Sequence, residues 1–418
     1  MKHKKLYLIL AVSIILAFFL LIIGLKQIDL SPKRLKTAFV NRVSEETAIW
    51  VLQNIESKVI RNFRNAYKLS VLPLNNFGSF KTKTKELNIG ESARGHLSFY
   101  IAEYKKKIFV IDEKAMISHI DTNLNDEQIS IKNNLSFGEN DRVLDIHIAN
   151  KKLYISAVKV ISDCGKHFIL EANINMEKLI FKDIWSSNSC GKDKGKHIQS
   201  GRVVSYKINN IEHLLISSSE AHANQPTLDS QDPDSTYGKI LIINPTDGSS
   251  SLYATGIRNV QGLVNYNNKI FFTDQGPEGG DELNKGNYDA NYGWPLASYG
   301  KDYLLDQKNA FLEDYEYLSD HNSHGFTEPI FAFVPSFGIS QVVLINNNFQ
   351  PKCLNCIVIS ALNGRSIHFM RMSDAYDKVI YQEKIYVGER IRDMIYANEG
   401  QSIYLALEDT GSILKVSN

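Results

Sequence analysis

The chain has 418 residues, of which 43% are hydrophobic, and its formal net charge at pH 7 is +1. This length allows two or three average domains or one large all-β domain with additions, and the apolar fraction is sufficient for a buried core. The balanced charge gives no basic excess, so composition does not favour a nucleic-acid-binding protein.

The N-terminus carries an uncharged apolar run from Leu6 to Leu25, which ends at Lys26. At a rise of about 1.5 Å per residue, a helix of this length spans roughly the hydrocarbon core of a bilayer. The run is longer than the apolar region of a cleavable signal peptide, and no small-residue cleavage site follows it. We therefore expect residues 1–26 to be an uncleaved signal-anchor in the inner membrane, with the rest of the chain in the periplasm. A buried helix of a soluble protein is the alternative.

After the anchor, apolar side chains recur at helical spacing between Ser44 and Tyr67. This pattern predicts a helix that packs on the main domain or serves as its stem. We assign residues 27–89 to a short helical stem or linker and expect no catalytic residue in it.

The four cysteines suit an exported protein. Cys164 and Cys190 lie 26 residues apart, and Cys353 and Cys356 form a C-x-x-C sequence. In a reducing compartment C-x-x-C would indicate redox or metal chemistry, but no further Cys or His lies at a zinc-ligand spacing. Two structural disulfides in an oxidising compartment are the better interpretation.

From about residue 90 to residue 418 the hydrophobic period changes from helical to two. Short β-rich segments alternate with polar turns that contain Asn, Gly or Lys, as in 101–110 and 146–155, and similar units end at 214–216, 270–272 and 403–405. These are the residues of β-hairpins. Hairpins that recur irregularly, without a long helical segment, are typical of an all-β propeller, whose loops converge at one end of a central channel.

The segment from Gly256 to Pro295 is rich in charged, amide, glycine and proline residues around one short predicted strand, Lys269–Thr273. It contains an Arg-Asn pair, a Gln-Gly-Pro turn, two adjacent carboxylates and a Tyr-Gly-Trp-Pro turn (258–259, 275–277, 281–282 and 292–295). A core does not need such residues, so the segment indicates loops held over a ligand. Tyr292 and Trp294 are expected to serve the turn and its packing, with a possible contribution to the pocket wall.

These motifs resemble, in order, three signatures of the quinoprotein glucose/sorbosone dehydrogenase family: G-x-R-N-x-Q-G-L, then [HQ]-G-P-x-x-x-D-E-[LI]-N, then N-Y-G-W-P. A fourth element, R-x-R-D, is present at 390–393. The resemblance extends more weakly from about Phe99 to Asn418. It implies a six-bladed β-propeller that carries pyrroloquinoline quinone (PQQ) and Ca²⁺.

PQQ is a planar tricarboxylate with an ortho-quinone, so its site needs cationic forks and amide donors. The resemblance places Arg258 by the quinone oxygens and makes Arg390 and Arg392 the carboxylate binders. Because residues i and i+2 of a strand share a face, the two arginines are expected to reach one ligand; a solvated charge pair is the alternative. Three further positions match the family's cofactor ring: Asn259, Gln275 and Asp281.

The resemblance also implies metal ligands. The backbone carbonyls of Gly276 and Pro277 are expected to bind Ca²⁺, which prefers oxygen ligands, although a plain β-turn is the alternative. Glu282 is expected to be a structural ligand or a ligand of a second calcium ion rather than a catalyst.

The general base is less well defined. The family places a His four residues before the Arg of an H-x-x-G-R element, whereas His197 here lies five residues before Arg202. A one-residue shift in a strand turns a side chain to the opposite face, although a bulge could restore it. We expect His197 to be the base and Glu220, which replaces a family Asp, to orient it. His222 is a weaker candidate, and a surface histidine at 197 is the alternative.

Asn363 stands where the family has a lysine that contacts the cofactor, which puts the substrate and the cofactor affinity in question. The predicted function is periplasmic oxidation of an aldose sugar at C1, with electrons passed to an external acceptor. The alternative is a membrane-anchored propeller without a cofactor that binds glycans or envelope proteins.

Overall fold

The structure, a computed structural model, describes residues 71–74, 78–92, 95–191, 193–196, 198–221, 228–277, 279–300, 320–350, 352–397 and 399–418. The predicted anchor and the predicted helix between Ser44 and Tyr67 lie outside these residues. Within them no helix has the length and the apolar character of a bilayer span. The helices of the described part are short 3₁₀ turns at Asp193–Gly195, Leu228–Ser230 and Asn322–His324.

The described strands form six antiparallel sheets, the blades of a β-propeller, apart from two short parallel pairs at outer edges. Blade 1 contains β3 (Phe99–Tyr104), β4 (Lys107–Asp112), β5 (Ile117–Asp121), β6 (Ile129–Asn133) and β10 (Lys178–Leu179). Blade 2 contains β7 (Arg142–Ala149), β8 (Lys152–Ile161), β9 (Cys164–Asn173) and β11 (Lys182–Ser186). Blade 3 contains β12 (Val203–Ile208), β13 (Ile211–Ser218), β14 (Lys239–Ile243), β15 (Ser250–Thr255) and β19 (Ala290–Asn291).

The other three blades repeat this arrangement. Blade 4 contains β16 (Val260–Tyr266), β17 (Lys269–Asp274), β18 (Asp281–Gly286) and β20 (Phe331–Phe333). Blade 5 contains β21 (Ile339–Leu344), β22 (Cys356–Ala361), β23 (Ser366–Met372) and β24 (Val379–Tyr386). Blade 6 contains β25 (Ile391–Ala397), β26 (Ser402–Leu407), β27 (Ser412–Ser417), β2 (Gly78–Glu86) and β1 (Val71–Leu74). The predicted all-β, six-bladed propeller is confirmed.

The ring closes on itself, because the first strand of each blade contacts the first strand of the next, and β25 contacts β3. Closure depends on β2, which pairs antiparallel with β27 from Lys81↔Ser417 to Glu86↔Ser412. Residues 71–74 and 78–86 are therefore strands of blade 6. The propeller begins before the predicted boundary at residue 90, in a part of the chain assigned to the stem.

The hairpins joining the first two strands of blades 1 to 4 have two-residue turns in which both residues have positive φ. In blade 2 these are Asn150 and Lys151, with φ of 49° and 62°. This is the type I′ geometry that matches the right-handed twist of the flanking strands. The predicted hairpins at 101–110 and 146–155 are confirmed, and the predicted strand Lys269–Thr273 corresponds to β17.

The core lies between neighbouring blades rather than within one. Each blade presents apolar side chains on both faces, and separate buried clusters fill the interfaces, such as the cluster of Phe271, Leu283, Val342 and Ile359 between blades 4 and 5. At the closure, Phe80 of β2 is fully buried and stacks on Phe369 of blade 5 at 5.4 Å between ring centroids. Burying one such side chain stabilises a fold by about 1.5–3 kcal/mol.

Four of the six inner strands carry a bulge near their first residues, where the pairing register shifts. In β16 the shift falls at Gln261, and in β25 it falls at Arg392. A bulge places an extra residue on one strand and changes the direction of its side chain. These strands therefore direct polar side chains at one end of the channel.

Two disulfides join all four cysteines, Cys164 with Cys190 and Cys353 with Cys356. The first ties the start of β9 to the loop that follows β11. The second ties the loop between β21 and β22 to the first residue of β22. The predicted structural disulfides are confirmed.

Candidate functional site

The buried guanidinium of Arg202 forms a plug in the central channel. Its Nη1 donates to Asp145 Oδ1 at 2.9 Å and to Asp393 Oδ1 at 2.8 Å. Its Nε donates to the carbonyl of Gln261 at 2.6 Å, and its Nη2 donates to the carbonyl of Arg392 at 3.0 Å. Residues of three inner strands, β7, β16 and β25, thus contact the side chain of Arg202, which directly precedes β12. The sequence had given Arg202 no role at the site beyond marking the spacing of His197.

The plug reaches the remaining inner strands through one of its carboxylates, that of Asp393. Asp393 accepts hydrogen bonds from the backbone N–H of Ile101 in β3 at 2.9 Å and from Gln341 Nε2 in β21 at 3.0 Å. On the side of the hairpin turns, the channel holds a cavity of ≈ 380 Å³. On the other side lie the loops that carry the predicted site residues, so Arg202 and its partners form the floor of the candidate site.

Arg258 and Asn259 are positioned by Asp274, the last residue of β17. Both backbone N–H groups donate to its carboxylate, at 2.9 and 2.6 Å. Burial raises the pKa of Asp274 to about 6, although these two hydrogen bonds oppose the shift. The Arg258 side chain then turns to the next loop, where Nη1 donates to the carbonyls of Gln275 at 2.6 Å and Gly276 at 3.1 Å.

A chain of amide side chains connects this loop to the opposite side of the channel. Asn259 Nδ2 donates to Gln275 Oε1 at 3.1 Å, and Gln261 Nε2 donates to Asn259 Oδ1 at 2.8 Å. Arg392 Nη1 completes the chain by donating to Gln261 Oε1 at 3.3 Å. Residues 258–277 and the R-x-R-D element therefore meet at one end of the propeller. Gln261, a link that the prediction lacked, reaches across because it lies at a bulge.

Arg390 and Arg392 converge on one carboxylate, which belongs to the chain itself. Glu408 Oε2 accepts from Arg390 Nε at 2.9 Å, and Glu408 Oε1 accepts from Arg392 Nε at 2.5 Å and from Ser98 Oγ at 2.7 Å. Burial acts to raise the pKa of Glu408, but Arg392 and Arg390 outweigh it and lower the pKa to about 2. The two side chains lie together, although not by strand alternation, because Arg390 precedes β25 and Arg392 lies at its bulge. Their expected binding of a ligand carboxylate stays a prediction.

Trp294 organises the residues beside Arg258. Its indole Nε1 donates to Glu220 Oε2 at 2.7 Å, and the Arg258 guanidinium lies 5.2 Å from its ring centroid. Glu220 Oε1 lies 3.5 Å from Arg258 Nε. Burial raises the pKa of Glu220 to about 7, while Arg258 and Trp294 oppose the shift. Trp294 was expected only to serve the turn and its packing. Its hydrogen bond to Glu220 joins residues 74 apart in the chain, and a local sequence pattern does not indicate such a contact.

Tyr292, by contrast, matches the packing role expected of it. Its hydroxyl donates to the carbonyl of Lys285 at 2.5 Å, and its ring contacts Phe272 edge-on at 4.8 Å between centroids.

The two adjacent carboxylates face different surroundings. Asp281 Oδ2 accepts from the backbone N–H groups of Phe337 at 3.0 Å and Ile339 at 2.9 Å, so it shapes the loop before β21. Glu282 accepts from Asn284 Nδ2 at 3.1 Å, and burial raises its pKa to about 8. Among the described residues no group of three or more His, Cys, Asp or Glu side chains is arranged to hold a metal ion. A metal role for Glu282 stays a prediction.

Asn363 lies beside Gln275, with Gly338 between them. A Cβ on Gly338, whose φ is +67°, would lie 3.2 Å from the Asn363 Cβ and 3.7 Å from Gln275 Nε2. Glycine is needed because the conformation is left-handed and the neighbours are close. The structure thus places Asn363 at the same end of the channel as the amide chain.

His197 and His222, the predicted bases, lie outside the described residues. The segment that follows His197 is described: Ser200 and Arg202 are buried, and the N–H of Arg202 donates to Ser217 Oγ at 2.8 Å. Gly201 and Arg202, which match the end of the family's H-x-x-G-R element, therefore reach the floor of the candidate site at the arginine.

Comparison with known proteins gives matches in sequence and in structure. The family model for glucose / sorbosone dehydrogenase matches residues 102–415. Aldose sugar dehydrogenase YliI of Escherichia coli (strain K12) is 28% identical over 208 residues, which cover 45% of this chain and 53% of that protein. The chain spans about half the length of the curated relatives it matches.

Two solved structures share the fold. The soluble aldose sugar dehydrogenase (Asd) from Escherichia coli in the apo-form aligns with a TM-score of 0.67 and 19% identity, covering 81% of this chain and 99% of that chain. The PQQ-bound aldose sugar dehydrogenase from Streptomyces coelicolor aligns with a TM-score of 0.56 and 19% identity, covering 81% of this chain and 98% of that one. At this level of identity the structural similarity establishes the fold alone.

Proposed function

Because the chain belongs to the glucose/sorbosone dehydrogenase family, we propose that it oxidises an aldose sugar at C1 with PQQ and Ca²⁺ and passes the electrons to an external acceptor. The observation that carries the proposal is the hydrogen-bonded chain from Gln275 through Asn259 and Gln261 to Arg392. It brings the family's cofactor-binding positions to one end of the channel.

The residues at this end fit a flat tricarboxylate. Arg390 and Arg392 use Nε for Glu408, and a guanidinium has further N–H donors for ligand carboxylates. Arg258 adds a third guanidinium, held against Trp294. The roles that the sequence suggested for Asn259, Gln275, Asp281 and Asn363 remain part of the proposal, with Asp281 acting on the loop before β21.

The residues also fit a calcium ion. The carbonyl of Gly276 accepts one hydrogen bond from Arg258 and that of Pro277 accepts one from Gly280, each at 3.1 Å. A carbonyl oxygen has a second lone pair, so each keeps an acceptor position for a hard cation. The buried carboxylates of Asp274 and Asp281, on either side of this turn, supply negative charge that favours a divalent cation there.

PQQ, if bound with calcium, would supply a quinone that accepts a hydride, and with it two electrons, from the sugar. The chain supplies the remaining functions. We assign the acceptance of the sugar C1 hydroxyl proton to His197 and the orientation of that imidazole to Glu220. Arg258 stabilises negative charge on ligand oxygens during reduction, because its guanidinium is fixed at the site before the reaction.

The proposal includes a location on the outer side of the inner membrane. Its supports are the apolar run from Leu6 to Leu25 and the two disulfides, which form in oxidising compartments. Alkaline phosphatase fused after residue 418 is expected to be active in intact cells, whereas an inactive fusion would contradict this location.

The central experiment is a titration of the metal-stripped protein with PQQ, with and without Ca²⁺, followed by the near-ultraviolet and visible absorbance of the bound chromophore. Saturable binding that needs Ca²⁺, and dye-linked oxidation of at least one aldose, are expected. Arg258→Ala should abolish binding, and the control Arg371→Ala, on β23, the third strand of blade 5, should not. Saturable binding without oxidation of any aldose would count against catalysis, and the absence of PQQ binding would favour the cofactor-free alternative.

A further inference from the structure

Tyr100, the second residue of β3, lies against the floor of the candidate site. Its side chain is buried, with 4% relative exposure, and the Arg202 guanidinium lies 5.4 Å from its ring centroid. Since Arg202 also donates to the carbonyl of Arg392, Tyr100 lies next to the first residues of β25. This position belongs to the inner strand of blade 1, from which the sequence predicted no site residue.

The Tyr100 hydroxyl forms no hydrogen bond with the described residues. A buried tyrosine hydroxyl usually has a partner, because an unsatisfied polar group is costly. Two other buried tyrosines follow that rule: Tyr237 donates to the carbonyl of Gly165 at 2.9 Å, and Tyr404 donates to the carbonyl of Thr122 at 2.6 Å. The Tyr100 hydroxyl lacks such a partner among the described residues and lies at the candidate site, where a ligand can supply the acceptor.

The charges around the hydroxyl define its chemistry. Burial raises the pKa of Tyr100, Arg392 and Arg202 lower it in part, and Glu113 in the loop after β4 raises it further. The net shift is upward, so the hydroxyl stays protonated at neutral pH and is a donor rather than a base. Arg392 beside it supplies further N–H donors. Donors from a phenol and a guanidinium at one place favour a carboxylate as the common acceptor.

We propose that the Tyr100 hydroxyl donates a hydrogen bond to a ligand carboxylate that Arg392 also binds. This proposal rests on the proposed function, in which the ligand is the tricarboxylate PQQ. It adds blade 1 to the cofactor ring, on the side of the channel away from Gln275.

The test is the affinity of the metal-loaded protein for PQQ, measured by absorbance titration of wild type and Tyr100→Phe. Phenylalanine keeps the ring against Arg202 and removes only the hydroxyl. A hydrogen bond to a charged acceptor corresponds to a loss of about tenfold or more in affinity. The melting temperature should not fall, because the hydroxyl has no partner among the residues that the structure describes. The matched control is Tyr404→Phe, which should lower the melting temperature and leave the PQQ affinity unchanged.

A second measurement identifies the acceptor. With PQQ trimethyl ester, whose carboxylates are neutralised, Tyr100→Phe should weaken binding less than it does with PQQ. Equal losses with both ligands, or no loss with PQQ, would overturn the assignment of Tyr100 while leaving the proposed function intact. If wild type binds no PQQ in the presence of Ca²⁺, the proposed function and this inference both fail.

Discussion

Arg202 and Asp393, which are 191 residues apart, form a buried ion pair in which Arg202 Nη1 lies 2.8 Å from Asp393 Oδ1. Both side chains are almost fully excluded from solvent. The pair joins the inner strand of blade 3 to that of blade 6, and the same guanidinium also fixes the carbonyl of Arg392. The floor of the candidate site and the centre of the propeller are therefore the same group of residues.

Replacement of Arg202 by Met should destabilise the fold strongly. It would leave two buried carboxylates, Asp145 and Asp393, without their cation, and breaking a buried pair in this way costs about 3–5 kcal/mol. The free energy of unfolding in urea measures the effect. The triple variant with Asp145→Asn and Asp393→Asn should recover part of the loss, because it removes the unpaired charges. A stability of Arg202→Met equal to wild type would show that the plug does not hold the blades together.

Glu408 should make stability depend on pH below about 4.5. Its pKa in the folded protein is about 2, below the ordinary value of 4.5, so the folded state favours the ionised form. The stabilisation is present above the unfolded pKa and disappears as pH falls through the folded one. A shift of this size corresponds to about 3 kcal/mol at neutral pH.

The comparison is between wild type and Glu408→Gln, with unfolding free energies measured from pH 7 to pH 2. Wild type should be the more stable protein at pH 7, and the difference should close between pH 4.5 and pH 2. A difference that stays constant over this range would mean that Glu408 is not ionised against Arg390 and Arg392.

Local features of the fold were predictable because they are encoded by neighbouring residues. Asn150 and Lys151 occupy a turn between two apolar runs, and the short apolar run within Lys269–Thr273 gives a strand of the observed type. The Gln-Gly-Pro turn at 275–277 directly follows that strand. In each case the determining contacts lie within a few residues along the chain.

The remaining features depend on contacts that no local period encodes. Gln261 and Arg392 face the channel because each lies at a bulge, and alternation along a regular strand would not place them there. Glu408 meets Arg392 across a hairpin, and β2 closes the ring by pairing with the far end of the chain. The motifs identified residues of the candidate site, but the residues with which they form hydrogen bonds are set by the tertiary structure.

Asp281 should act mainly through the loop before β21. Asp281→Ala removes the acceptor of the Phe337 and Ile339 N–H groups and should cost about 1–3 kcal/mol, because two backbone donors lose their partner. Hydrogen exchange at these two amides should become faster. Asp281→Asn keeps one acceptor oxygen, so both amides should stay protected from exchange. Rapid exchange in both the Asn and the Ala variant would mean that the charge of Asp281, rather than its hydrogen bonds, holds the loop.

Trp294 should control ligand binding through Arg258 and Glu220. Trp294→Phe keeps an aromatic ring but removes the Nε1 donor to Glu220 and weakens the surface on which the guanidinium rests. Each contact contributes about 1 kcal/mol or more, so the affinity for PQQ should fall about tenfold.

The matched control is Trp185→Phe, in blade 2, where the indole packs edge-on against His167 at 5.6 Å between centroids. That variant should lower stability without changing PQQ affinity, because Trp185 contacts neither Arg258 nor Glu220. Equal affinities in wild type and Trp294→Phe would mean that contacts such as those with the Gln275 and Gly276 carbonyls hold Arg258 without the contribution of Trp294.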